Sequence, residues 1–400
     1  MRRAATCDGA ARGAMVGPTT CPELEMSDTS LGPPGPALPF WLSLTLLPLV
    51  AAGLIWGGWA LVALPVYGWV GITLLDALAG RERANPDPAT LPDRLRWHRL
   101  VTRIWLPLQL VMIFGAIWAV GATTHLAMWE EVALFAGIGV VSGAIGITYA
   151  HELVHESSRG ARWLGDLLMA SVLYSHFRSE HLLVHHRHVA TPADAVTARR
   201  GEGFGPYLAR VLVHCPRSAF AAEAALLARR GRGWWHASNP FWRYGALQAG
   251  MIALAFGLGG AAGVGLFVVQ AAMAVLQLEL TNYIEHYGLT REHLGGGRYE
   301  PVRPHHSWNA EHRVSNWLLI NLQRHADHHT RPDRPFALLQ TYPEAEAPQL
   351  PFGYPVMTAM ALVPPLWRRV MDPRVAAWRR RHYPHISDWS AYDRMAAPAG

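Results

Sequence analysis

The chain is predicted to be an all-α polytopic integral membrane protein with about six transmembrane helices, and three observations carry that prediction. Of its 400 residues 51% are hydrophobic and only 16% charged, whereas a soluble domain carries about 25% charged residues. Several apolar runs approach or exceed the roughly 20 residues that a helix needs to cross a bilayer. Arginine-rich connections alternate with arginine-free ones along the chain, as expected when positive loops stay on one side of a membrane.

Phe40 to Asp76 is apolar for nearly twice one span, with Gly57, Gly58 and Pro65 inside it. Two helices meeting near Gly57 and Gly58 account for that length. A basic segment, Arg81 to Arg103, leads to a third span from about Ile104 to Thr123. The arginine-free connector Thr124 to Glu131 precedes a fourth span, about Val132 to Ala150. Residues 151–243 are polar and arginine-rich and read as a long connection. A fifth span covers about Tyr244 to Leu258, and a sixth about Leu266 to Thr281, joined by an uncharged glycine-rich turn. The run Pro355 to Trp367 is short for a span and contains Pro364 and Pro365, so an interfacial or packed segment is expected. The positive-inside rule then places both termini, the 81–103 loop and the 151–243 loop in the cytoplasm.

All 35 basic residues are arginine, and the net charge is +6. These arginines fall between apolar runs, so membrane orientation explains them better than nucleic-acid binding. Cys7, Cys21 and Cys215 form no CxxC pair, which excludes a disulfide framework and an in-chain iron–sulfur or rubredoxin-type site. Any electrons must therefore come from another protein. Residues 1–37 hold arginine, glycine and proline but no apolar stretch of signal-peptide type, and read as a disordered extension.

Nine histidines stand in four groups beside or inside apolar spans. HELVH places His151 and His155 one helical turn apart on one face. EHLLVHH repeats that step with His181 and His185 and adds His186, which points about 100° away on a helix and is free to serve a different ion. LQRHADHH supplies His325, His328 and His329, and NYIEHYGL supplies His286. Imidazole suits iron, zinc, copper and nickel, and one ion rarely takes more than four protein ligands, so the number points to two ions. His286 stands alone, and its residue pattern leaves a packed role as open as a ligand role. Glu152, Glu156, Glu180, Glu285 and Asp327 neighbour these histidines and are expected behind them, accepting the second imidazole N–H. Such ligands disfavour Mg²⁺ and Ca²⁺, which take oxygen. The residues do not select iron over zinc: iron with open positions activates O₂, whereas zinc activates water. HELVH also matches the zinc-protease motif, but a protease leaves most of these histidines without a role. A metal transporter normally binds near the bilayer midplane, whereas these groups lie at helix ends.

From LLD (Leu74 to Asp76), through HELVH, His176 to Pro192, NYIEHYGL and Tyr299 to Leu339, into Leu350 to Met357, the chain resembles the integral-membrane alkane 1-monooxygenases, the AlkB family of the histidine-box hydroxylase and desaturase group. The resemblance implies a cytoplasmic di-iron site on six spans and terminal hydroxylation of medium- and long-chain n-alkanes to 1-alkanols. The reaction would use O₂ and two electrons from rubredoxin, itself reduced by rubredoxin reductase, at the bacterial inner membrane. It implies that all nine histidines are iron ligands, His286 included, and that 38–372 form the hydroxylase domain with 373–400 as a tail. Xylene or other aromatic-methyl hydroxylation, or terpene hydroxylation, by the same group of enzymes is the alternative. The chain departs from the family pattern at Val184, where glycine is usual, and at Ala193 to Arg199, where EDPASSR is common. A substrate tunnel should run between the helices, and Trp56, Trp59, Tyr67 and Trp69 are bulky enough to close it. Aromatic residues in spans also serve as interfacial anchors.

Overall fold

The computed structural model describes residues 31–394, and within them the chain is helical, with isolated bridges as its only β pairing. Most of the proposed extension 1–37 lies outside the described residues. Its last residues run against the 81–103 segment: the Gly32 N–H donates to Asn85 at 3.2 Å, and the Gly35 carbonyl lies 3.0 Å from His98 Nε2.

Helix α1 (Leu38–Trp56) and helix α2 (Ala60–Ala79) meet at Gly57 and Gly58, as expected. Both glycines adopt positive φ, +57° and +49°, a region that side-chain-bearing residues rarely enter. Glu130 fixes the turn by accepting the Gly58 N–H at 2.6 Å. Helix α3 (Pro92–Ala122) starts earlier than its apolar run, because the basic segment continues the helix beyond it. Helix α4 (Met128–His155) carries HELVH as its last two turns, so the first histidine pair directly extends a span.

Phe204–Ala228, here α5, corrects the reading of 151–243 as a connection without a long helix, since it is also long and apolar enough to span. Its charges, Arg210, Arg217 and Glu223, hid it in the sequence. Tyr207 near its start donates to Glu279 at 3.2 Å, and Glu223 near its end accepts from Ser179 at 2.6 Å. Both ends thus touch residues close to histidine groups, and the helix lies along that layer. The fifth and sixth expected spans appear as one continuous element, α6 (Pro240–His286). It is broken at Gly260, with φ +58° and ψ −150°. A Cβ on Gly263 would lie 2.7 Å from the carbonyl of Ala255, eight residues back, so the chain reverses there and the two arms pack side by side.

The second arm of α6 packs closely on α4. Gly139 and Gly143 face it, and a Cβ on Gly143 would sit 2.5 Å from the Ala274 carbonyl and 2.8 Å from Gln277 Cβ. Small residues four apart let helix backbones approach where lipid gives no hydrophobic drive to associate. Beyond α6 the chain folds over the ends of the spans through short helices: α7 (Arg313–Leu318), α8 (His325–Thr330), α9 (Tyr354–Ala361) and α10 (Pro364–His382). The run Pro355 to Trp367 is packed across α9 and the start of α10, matching the expected short segment. Asp76, the last residue of LLD, ties this cap to α2 by accepting the Val314 and Ser315 N–H groups, each at 2.8 Å. Gly143→Val should lower stability by about 1–3 kcal/mol through overpacking, read as a drop in thermal midpoint in detergent. Gly265→Ala, where a Cβ meets nothing within 4 Å, should not.

Candidate metal centre

The nine histidines converge from four elements into two adjoining groups. His151, His155, His181, His186 and His328 form one, and His185, His286, His325 and His329 form the other. Their local conformations sort them. In α8, His325 and His329 are one turn apart and share a group, their Nε2 atoms 3.0 Å apart, while His328 points to the other. In 181–185 the helix widens to a π turn, with the His186 N–H bonded to the His181 carbonyl. A π turn aligns i with i+5 rather than i+4. His181 therefore pairs with His186, Nε2 to Nε2 at 2.9 Å, and His185 goes to the other group. The expected separation of His185 from His186 holds, but the pairing of His181 with His185 does not.

Within each group the ring nitrogens point inward. His151 and His328 are 2.9 Å apart at Nε2, His155 and His181 3.0 Å, His186 and His328 3.1 Å, and His286 and His325 3.1 Å. A neutral imidazole nitrogen carries one proton or one lone pair, so hydrogen bonds cannot satisfy several nitrogens that each face two or three others. A cation can. Imidazole bonds of about 2.1 Å at right angles put neighbouring nitrogens about 3.0 Å apart, the spacing observed here. Burial holds His181, His186, His325, His328 and His329 well below the ordinary imidazole pKa, reinforced by their neighbouring histidines. They are thus neutral and able to donate lone pairs.

The expected supporting acids behave differently from one another. Glu285 stands on the side of the inward-facing nitrogens: its Oε2 lies 3.4 Å from His325 Nε2, and its Oε1 accepts from Tyr354 at 2.8 Å. The four-imidazole group thus has a carboxylate beside its inward nitrogens. Asp327 supports no imidazole. Its oxygens are taken by Arg334 at 2.6–2.7 Å, Tyr342 at 2.7 Å and the Gln340 N–H at 2.9 Å, holding the 331–342 loop. Glu152 accepts the Phe336 N–H at 3.1 Å, a contact to the 331–342 loop rather than to a histidine. Glu156 pairs with Arg103 at 2.8 Å. One Glu180 oxygen is buried without a partner, and burial, with Asp194 and Glu279 nearby, pushes its carboxyl well above the usual range.

The acid that does support a histidine is Asp194, which the sequence reading passed over. Its Oδ2 accepts from His185 Nδ1 at 3.0 Å and from the Thr197 hydroxyl at 2.7 Å, and its Oδ1 accepts the Val196 N–H at 3.0 Å. Burial opposes its charge, but His185 and these donors hold its pKa below the ordinary carboxylate value. It lies within the stretch Ala193 to Arg199 where the chain departs from the family pattern, nine residues after His185. His176 and His188 join neither group. Glu300, His305 and His306 form a third cluster, but the Tyr383 hydroxyl fills its centre, donating to Glu300 and lying 2.7 Å from His306 Nε2. His306 Nδ1 accepts the Arg303 N–H at 2.9 Å, so its Nε2 carries the proton and cannot bind a metal.

An apolar cavity among α1, α2, α4 and the cap is lined by Leu46, Leu64, Gly68, Trp69, Ala144, Ile145 and Tyr354. Thr281 lines both this cavity and a second, bounded by Gly143, Ile147, His151, His181, His185, Glu285 and His325. The first lies among the spans and the second against both histidine groups, with Thr281 on the wall of each. Trp56 and Trp59 line neither cavity: they are 73% and 90% exposed beside the Gly57–Gly58 turn, as interfacial anchors would be. Tyr67 is turned to Thr45, their hydroxyls 2.8 Å apart. Of the four aromatic residues, Trp69 is the one on the cavity wall.

Helices long enough to cross a membrane, with two convergent histidine groups that could hold metal ions beside an apolar space, are the make-up expected of a membrane-bound hydroxylase or desaturase. Residues 126–361 match the fatty acid desaturase family. The chain is 38% identical over 319 residues to alkane 1-monooxygenase 2 of Pseudomonas aeruginosa, covering 77% of this chain and 82% of that protein. It is 37% identical over 348 residues to alkane 1-monooxygenase of Pseudomonas putida, covering 85% of each. Similarity to the xylene/toluene monooxygenase hydroxylase component XylM of Pseudomonas putida is lower, 31% over 245 residues and 64% of that protein. The chain belongs to the alkane 1-monooxygenase family. Asp194→Ala should lower the metal affinity of the four-histidine group about 10–100-fold and leave the five-histidine group unchanged, measured by chelator competition. Unchanged affinity would mean that Asp194 only holds the 191–197 turn.

Proposed function

We propose that this protein is a monooxygenase converting medium- and long-chain n-alkanes to 1-alkanols at two non-haem irons held by the nine histidines. The observation that carries the reading is the meeting of an apolar cavity with two groups of inward-facing, neutral imidazoles. When bound, such irons activate O₂, and with two electrons and two protons one oxygen atom enters the C–H bond while the other leaves as water. We assign five imidazoles to one ion, and four imidazoles with Glu285 beside them to the other. Asp194 fixes the His185 tautomer, and the cavity wall from Leu46 to Thr281 holds an alkyl chain end-on and excludes water. Electrons come from rubredoxin, recharged by rubredoxin reductase, because the chain's cysteines cannot build a redox centre. The arginines of 81–103 and 151–243 support an inner-membrane placement with the histidines facing the cytoplasm.

Purified protein should carry two irons per chain, and whole cells should convert dodecane to 1-dodecanol. Zinc in place of iron, without O₂ consumption, would sink this reading, and hydroxylation of xylene but not dodecane would favour the aromatic-methyl alternative. His181→Ala should abolish turnover and leave membrane insertion intact, since it alters no span. Gly68 lines the cavity, and a Cβ there would meet nothing within 4 Å. Gly68→Leu should therefore fill space and shorten the longest alkane accepted, read from a product series by gas chromatography.

A further inference from the structure

The four-histidine group is linked to the protein surface through one side chain. The Trp308 backbone N–H donates to the Glu285 carbonyl at 2.9 Å, and its indole Nε1–H donates to the Tyr287 carbonyl at 2.9 Å. The two bonds bracket His286, whose Nε2 is 3.1 Å from that of His325. Trp308 is 2% exposed and forms the floor of a surface groove. One wall of the groove is Arg374, Trp378, Arg381 and His382 of α10, and Glu344 and Gln349 line the other.

Helix α10 is strongly basic. It exposes Arg368, Arg369, Arg374, Arg380 and Arg381, none of which pairs with an acid among the described residues. Its one acidic residue, Asp372, is occupied by the Tyr287 hydroxyl at 2.7 Å. Unpaired cations around a concave patch steer acidic partners and set their on-rate. A flat anionic lipid surface would meet the outer arginines but would not reach the Trp308 floor.

We propose that this groove is where an acidic one-electron carrier protein docks, and that Trp308 relays its electron to the metal beside His286. The proposal rests on the iron monooxygenase reading above. At each encounter the carrier's ferrous centre becomes ferric, and the metal at the four-histidine group gains one electron. Two encounters supply the two electrons that one hydroxylation consumes. The route runs from the indole through one hydrogen bond to the Tyr287 carbonyl and on through the backbone to His286. It therefore couples more strongly than an equal distance through space.

The test uses the full-length, iron-loaded protein in nanodiscs, with a reduced acidic rubredoxin as probe. Binding is followed by titration, and donor re-oxidation by stopped-flow absorbance. Arg374→Glu with Arg381→Glu should weaken binding about tenfold or more and flatten its salt dependence, with iron content unchanged. Trp308→Phe should leave binding intact and slow donor oxidation about tenfold or more, an effect that loss of a docking contact does not produce. Unaltered binding in the arginine variant overturns the docking site, and so does an altered affinity for anionic vesicles with unaltered rubredoxin binding. Unaltered oxidation in Trp308→Phe overturns the relay. If the unmodified protein does not oxidise the donor at all, the functional reading itself fails, a result separable from the other outcomes.

Discussion

Everything else in this protein depends on drawing nine imidazoles out of solvent and pointing them at two common centres. Burying that many polar rings is costly unless each finds a partner, and their inward nitrogens are too close together to be satisfied by one another. The fold meets the cost by leaving room for cations, and it sets the geometry from several directions at once. Helix α4 delivers His151 and His155 from the end of a span, and α6 delivers His286 from the end of another. The π turn at 181–185 and the short helix α8 divide their histidines between the two groups. The cap over the spans exists to hold α8 in place, which is why Asp76, Asp327 and Arg334 are spent on backbone and loop contacts rather than on chemistry.

The same constraint explains the close packing within the membrane layer. Gly139 and Gly143 let α4 approach the second arm of α6 closely. That approach brings His151 and His155 on one helix toward His286 on the other. The cavity beside them is lined by both helices, with Gly143 and Thr281 on its wall. The residues that allow the histidine groups to meet are therefore also the ones that shape the apolar space beside them.

Much of this was legible in the amino-acid sequence. Apolar run lengths located the α1–α2 turn at Gly57 and Gly58 and the reversal near Gly260, because glycine at a span boundary marks a conformation that other residues resist. Histidine spacing identified eight members of the two groups, and the family resemblance added His286. Spacing could not divide them, since i, i+4 arithmetic assumes an α-helix and His181 to His186 follows a π turn. Helix α5 was obscured because Arg210, Arg217 and Glu223 break the apolar signal, although Arg210 and Glu223 find their partners, Glu202 and Ser179, within the protein. Adjacency in sequence also misassigned the acids: Asp327 touches His328 in the chain but not in space, whereas Asp194 reaches His185 from nine residues away.

Trp56 and Trp59 carry the same lesson about substrate selection. Bulk in a span was the signal that nominated them, and both face outward. What limits a chain entering this cavity is the inner wall, where Gly68 and Ala144 leave space and Trp69 and Tyr354 take it up. Small residues give no sequence signal for a pocket, because an absent side chain looks the same whether it admits a substrate or a neighbouring helix. Gly143 shows both uses at one position, facing the Ala274 backbone and also lining the space beside His151. On the function proposed above, length selectivity is governed by the same helix contacts that hold the two histidine groups together. A substitution that widens the cavity at the α4–α6 contact must also shift the histidines, whereas one at Gly68 on α2 need not.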